Sequence, residues 1–255
     1  MPMGVKNGNA QFQRMMEWLL RDFPFADCYI DDIIIGSTGD TKQEILANHA
    51  KHVEDILLAL EEHQLLAKLD EGSFFVRSVE FCGQVLENGT RCPKPGKLAA
   101  IQQWELPQTI KELRVFLGLC NYYAQYLRNY ADTAGPMQDL LKLPTGKSKG
   151  AGARKLAWTD KSCQSFEDTK KLLDEGLSLF IMNLVAPFMS ETDASDYAIG
   201  AVLHQFDTDG IRTGEKGKAF PVSFFSQKLP AGQVNWNPRE KKCYAIVSAP
   251  HKWSD

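Results

Sequence analysis

Two adjacent carboxylates, Asp31 and Asp32, interrupt the apolar stretch from Phe25 to Ile35, and few local structures tolerate them there. Like charges side by side repel, and burial raises the cost. In a continuous strand the two side chains would project to opposite faces. In the turn of a hairpin both reach one solvent-filled cleft. Phe25–Ile35 therefore reads as strand, turn, strand, closed by Gly36-Ser37. Aspartate is also an ordinary turn former, so the bare dipeptide is equally served by an acidic turn with no chemistry. A divalent cation would neutralise the pair, and Mg²⁺ favours such hard oxygens beside substrate phosphates. In two-metal phosphoryl transfer one ion lowers the pKa of the attacking hydroxyl and the other stabilises the leaving oxygen.

Helical and strand periods organise the rest. A helical pattern begins at Gln11 and carries Phe12, Met15, Met16, Leu19 and Leu20. Thr41-x-x-Glu44 predicts a capping box opening a helix with Ile45, His49, Val53, Ile56, Leu57 and Leu60 at three-to-four spacing. Val79–Leu86 reads as strand, and Glu87-Asn88-Gly89 as turn. A short helix is expected from Pro93–Gly96 to near Trp104, ended by Pro107. Thr109-x-x-Glu112 predicts a second capping box and a helix to Leu127. Pro144–Lys155 is small, basic and linker-like. Beyond it a helix capped by Thr159 or Asp160 is expected to end near Gly176. Strands follow at Pro187–Thr192, Ala198–Gln205 and Ala219–Ser226, then a helix from Pro238.

Composition bounds the function classes. At 44% hydrophobic and 24% charged the chain is of the soluble globular type. No apolar run reaches the ~18 residues of a membrane helix, and no secretory leader is visible. The net charge of −3 means a nucleic-acid role needs local basic surface. Six cysteines without a C-x-x-C pair read as reduced thiols of an intracellular protein, cytoplasmic or nuclear. His49-x-x-His52 has helix-face spacing, but no Glu or Cys is placed to complete a metal site, so both read as structural.

Tyr29-Ile30-Asp31-Asp32 with its following apolar run resembles the active-site hairpin of reverse transcriptases. Met1–Arg14 is similar to the segment preceding that hairpin in gypsy-type long-terminal-repeat retrotransposons. Val79–Leu86 resembles their primer-grip hairpin and Leu113–Tyr123 their thumb helix. Glu191–Ser195 with Ile199–Leu203 resembles the first hairpin of their RNase H domain. The motifs stand in the family's order over nearly the whole chain. The implied fold is mixed α/β, of the α+β class: a partial palm (1–90), a helical thumb and connection (91–143), a linker (144–155) and an incomplete RNase H-like domain (156–255).

The resemblance implies Mg²⁺ (or Mn²⁺), an RNA/DNA template-primer and deoxynucleotides as partners of the parent enzyme, and no membrane. It gives Asp31, Asp32 and Asp193 as catalytic metal-binding carboxylates. Met3, Gly4 and Gln13 fall beside the nucleotide. Arg14, Tyr29, Phe81, Gly83, Lys94, Lys97, Lys111 and Arg114 fall on nucleic acid. Tyr122 and Tyr123 are candidates for base stacking, although helical spacing sends one of them to the core. The sequence departs from the family in two ways. It begins after the strand that carries a third polymerase Asp, and Asp22 and Asp27 do not stand in that context. Lys242 occupies the position of an RNase H Glu, Glu240 is displaced from it, and the last two carboxylates would lie beyond Asp255; Asp196 and Asp207 read as turn or surface residues. The implied product is an N- and C-terminally truncated polymerase segment without activity of its own. The alternative is a non-catalytic nucleic-acid-binding relic of a degenerate retrotransposon.

Overall fold

The structure is a computed structural model that describes residues 7–142, 155–174, 178–208, 210 and 212–254, with the side chains of Pro95 and Lys97 excepted. It comprises two compact units, one ending at Asn88 and the other beginning at Gly89.

In the first unit α1 (Gly8–Leu20) and α2 (Lys42–Glu62) cover one face of a hairpin formed by β1 (Ala26–Tyr29) and β2 (Asp32–Ile35). The helices take their inward faces from the predicted periodicity. Met16, Leu19 and Leu20 of α1 meet Ile56 and Leu60 of α2 over Cys28 of β1, with Phe12, Phe25, Ile33 and Ile35 at the margins. Thr41 caps α2 by accepting from the Glu44 N–H at 3.2 Å, while the Glu44 carboxylate accepts from Asp40 N at 3.0 Å. A second hairpin pairs β3 (Ser78–Phe81) with β4 (Gln84–Glu87).

The second unit is built on a three-stranded antiparallel sheet in the order β7 (Met189–Ala194), β8 (Ala198–Phe206), β9 (Ala219–Lys228), with α7 (Pro238–Trp253) against β7 and β8. A short pair joins β5 (Thr90–Pro93) to β6 (Leu179–Phe180). Around these lie α3 (Pro95–Gln102), α4 (Ile110–Tyr122), α5 (Tyr130–Leu140) and α6 (Asp160–Asp174). Leu113, Phe116 and Cys120 of α4, Tyr130, Ala134 and Met137 of α5, and Phe166 and Leu173 of α6 share one core. The segments expected as thumb and as RNase H-like domain thus contribute to a common interior. The expected linker lies outside the described residues except for Lys155, which bridges Thr109.

Helix α5 departs from the expectation, which placed no helix between Leu127 and the linker at Pro144. Pro136 lies inside it. An interior proline removes one backbone donor and crowds the carbonyl four residues earlier, at a cost of about 3 kcal/mol. Burial of Tyr130, Ala131, Ala134, Met137 and Leu140 outweighs that cost. Asp207, expected in a turn or at the surface, directly follows β8 and is buried. Its carboxylate accepts from the N–H groups of Gly210 at 3.1 Å and Thr213 at 2.6 Å, which explains how a charge survives there.

Candidate functional site

The register Tyr29↔Asp32 leaves a two-residue turn, Ile30-Asp31, at the tip of the first hairpin. Asp31 and Asp32 are both exposed. Strand alternation puts Asp27, Tyr29 and Asp32 on the face opposite Cys28 and Ile33, so the carboxylates face away from the helices. Ile30 has φ 58°, a left-handed conformation that a β-branched residue reaches only under constraint. The constraint is Gln13. Its Oε1 accepts from Ile30 N at 2.5 Å, and its Nε2 donates to the Cys28 carbonyl at 3.1 Å and to Glu17 Oε1 at 2.9 Å. One amide from α1 therefore holds the backbone on both sides of Tyr29.

The second hairpin turns at Cys82-Gly83, where both residues have positive φ (50° and 76°). Such a turn ordinarily takes Asn-Gly. Cys82 is exposed, and its thiol is pushed above its ordinary pKa by desolvation first, then by the carboxylates of Asp32 and Asp27. Phe81 and Gly83 are half-buried.

Behind the first hairpin, Ser37 Oγ lies 3.0 Å from His49 Nδ1 and 2.8 Å from His52 Nδ1. His52 stacks on Phe25 at 3.7 Å between ring centroids, and His49 meets Phe75 edge-on at 4.9 Å. The two rings thus tie the end of β2 to α2. Burial, then the neighbouring His52, lowers the pKa of His49. The folded state then binds fewer protons than the unfolded chain as pH falls below the ordinary imidazole value of about 6.5, so stability is lost in that direction. Urea midpoints at pH 7.5 and 5.5 should fall further for the wild type than for His49→Gln. Equal falls would contradict this.

The other expected residues are distributed over both units. Arg14 and Tyr29 are exposed in the first unit, while Met3 and Gly4 lie outside the described residues. In the second unit Lys111 and Arg114 are exposed on α4, Lys94 is half-buried just before α3, and Lys97 falls within α3. Tyr123 is buried, whereas Tyr122 is 47% exposed on the same helix face as Val115 and Gly118. Asp193 is exposed on β7 opposite Gly200. The turn after it is held from two sides. Ser195 Oγ donates to Asp132 at 2.7 Å, and the buried Lys241 pairs with Asp196 at 3.1 Å. Glu240 completes the capping box of α7 with Asn237, and Lys242 is exposed one position beyond Lys241. Among the described residues no group of three His, Cys, Asp or Glu side chains converges on a metal position.

Residues 1–86 match the model of the reverse transcriptase (RNA-dependent DNA polymerase) family, and residues 158–255 that of the RNase H-like domain found in reverse transcriptase. The chain is 33% identical over 251 residues to the Pol polyprotein from transposon opus of Drosophila melanogaster, covering 97% of this chain and 24% of the relative. The chain combines a reverse transcriptase segment with an RNase H-like segment of the kind found in retrotransposon Pol polyproteins. This Pol segment is also 34% identical to the polyprotein of Drosophila transposon 297, over 98% of the chain and 21% of the relative. The match to the Tf2-3 polyprotein of Schizosaccharomyces pombe is 29%, over 99% of the chain and 18% of the relative. It thus spans a quarter or less of the length of these relatives. Its fold matches foamy viral protease-reverse transcriptase in complex with an RNA/DNA hybrid, at TM-score 0.76 and 22% identity over 99% of this chain and 31% of the other. A second structure of that protein, with double-stranded DNA, matches at TM-score 0.79 and 22% identity, over 100% and 41%. Among the described residues no helix of the Pol segment is long and apolar enough to cross a membrane.

Proposed function

We propose that the chain binds template-primer nucleic acid as the palm (1–90), thumb and connection (91–143) and RNase H-like (156–255) parts of a reverse transcriptase, and that by itself it neither polymerises DNA nor cleaves RNA. The observation that carries this is the exposed pair Asp31 and Asp32 at the Ile30-Asp31 turn, which Gln13 clamps. The foamy viral relatives hold RNA/DNA hybrid and double-stranded DNA in the same fold. Lys111, Arg114 and Tyr122 on the outer face of α4 supply cations and an aromatic ring for the strand backbone.

Families of this kind use divalent metal. The hard oxygens of Asp31 and Asp32 fit one Mg²⁺ held by one or two carboxylates, with water and substrate phosphates completing the shell. They do not fit a two-metal centre, because no third side-chain ligand joins them among the described residues. Lys242, exposed on α7 where a carboxylate is expected, supports the non-catalytic reading of the RNase H-like part as well. Deoxynucleotide would contact Gln13 only if the amide left the hairpin.

The test is a primer-extension assay with a labelled hybrid, beside a binding titration of the same hybrid in EDTA. The expected result is no extension, with binding that Asp31→Asn leaves unchanged within twofold. Extension by the wild type that Asp31→Asn abolishes would overturn the proposal.

A further inference from the structure

Helix α1 carries a second surface feature, one turn and two turns beyond the clamp. Trp18 is 51% exposed, unusual for so large an apolar ring. Arg14, Trp18 and Arg21 follow one another at four and three residues, so they share one face of the helix. Two guanidiniums thus bracket one indole, about 10 Å apart along the axis at ~1.5 Å per residue. The Arg21 guanidinium lies 5.1 Å over the indole, and the exposed His63 ring meets it edge-on at 5.3 Å. His63 Nδ1 is engaged by the Ala59 carbonyl at 2.9 Å, which turns Nε2 outward. Two carboxylates border the stripe on α1. Glu17 is engaged by Gln13 at 2.9 Å, and Asp22 pairs with Arg21 at 3.4 Å, both partners being well exposed. Glu61 and Glu62 precede His63 on α2.

We propose that Trp18 is a stacking platform for an unpaired nucleobase, with Arg14 and Arg21 as contacts to the flanking phosphates. The site takes a single-stranded segment running along α1 from the hairpin that Gln13 clamps. This rests on the nucleic-acid reading above and adds a preference for unpaired strand. The chemistry favours that occupant. Every base offers a face to an aromatic ring only when it is unstacked, and the cations on either side match phosphates rather than apolar protein surface. A duplex keeps its bases stacked on each other and leaves the indole idle. Arg21 can leave the indole, because a cation–π contact and an ion pair this exposed hold it weakly. The arginine then serves a phosphate while the base takes its place.

The experiment is fluorescence anisotropy of the full chain with a labelled oligothymidylate and with a duplex of equal length. Trp18→Ala is expected to weaken single-strand binding about 5- to 100-fold and duplex binding less than twofold, while Trp18→Phe retains most of the affinity. Arg14→Gln with Arg21→Gln is expected to lower the single-strand salt slope by about 1.4, at ~0.7 per phosphate contact. Unchanged single-strand affinity in Trp18→Ala, with wild-type duplex binding intact, would overturn this site and leave the general reading standing. Equal losses on both probes would also overturn it. A wild type that binds neither probe would overturn both.

Discussion

Phe116→Ala is expected to destabilise the second unit by about 3–5 kcal/mol, the usual cost of emptying a fully buried aromatic site. Phe116 has no exposed surface. Its ring stands 4.7 Å from Phe166 of α6 and 6.2 Å from Trp104. The substitution lies in the thumb-like segment, yet one of the two rings it packs against, Phe166, belongs to the RNase H-like segment. The loss should therefore appear as one urea transition, shifted to lower denaturant, in which the fluorescence of Trp104 and Trp158 changes together. Both indoles border the same cluster. Two separate midpoints, with the Trp158 signal unmoved, would show that the segments do not share a core. A shift below about 1 kcal/mol would show that the site is not packed as described.

Gln13→Ala is expected to cost the first unit about 1–3 kcal/mol and to open the turn that carries Asp31. It deletes an acceptor from Ile30 N and a donor to the Cys28 carbonyl. Each such bond contributes about 0.5–1.5 kcal/mol net, and a partly buried group left unsatisfied costs more. The left-handed Ile30 sharpens the test, since that conformation costs a residue with a Cβ about 1–2 kcal/mol. Without the clamp the turn relaxes, so hydrogen exchange at the Ile30 amide should accelerate by at least tenfold. Ile30→Gly removes the strain and should recover part of the loss in the double variant. Unchanged exchange at Ile30 in Gln13→Ala, or a double variant less stable than the sum of the singles, would contradict the clamp.

The parts of this fold legible from sequence are those where a local pattern decides the outcome. Asp31-Asp32 within an apolar run called for a hairpin, and the chain turns at Ile30-Asp31 with Asp32 opening β2. Thr109 announced its helix by a capping residue and accepts from Glu112 N at 3.2 Å. What escaped was set by distant partners. Pro136 argues locally against a helix, and only the core contacts of α5 reverse it. The two-residue strand β6 has no periodicity to read and exists through Thr90 and Arg91. Gln13 was read as a nucleotide contact, but nothing local reveals that its amide spans Cys28 and Ile30, 15 and 17 residues on. Trp18 was not singled out, because helical spacing alone does not say that its ring stays outside. Lys241 and Lys242 are adjacent lysines, and only the docking of α7 on the sheet sends one to Asp196 and leaves the other in solvent.

The most direct test of the proposed role is the salt dependence of RNA/DNA hybrid binding by the full chain. With a net charge of −3, the chain has no general attraction for nucleic acid, so affinity must come from local contacts. Log affinity is expected to fall linearly with log salt concentration, and Lys111→Gln with Arg114→Gln is expected to shallow the slope by about 1–2 units, roughly one per lost phosphate contact. Hybrid binding that is absent at low salt, or indifferent to salt and to both substitutions, would contradict the proposed role.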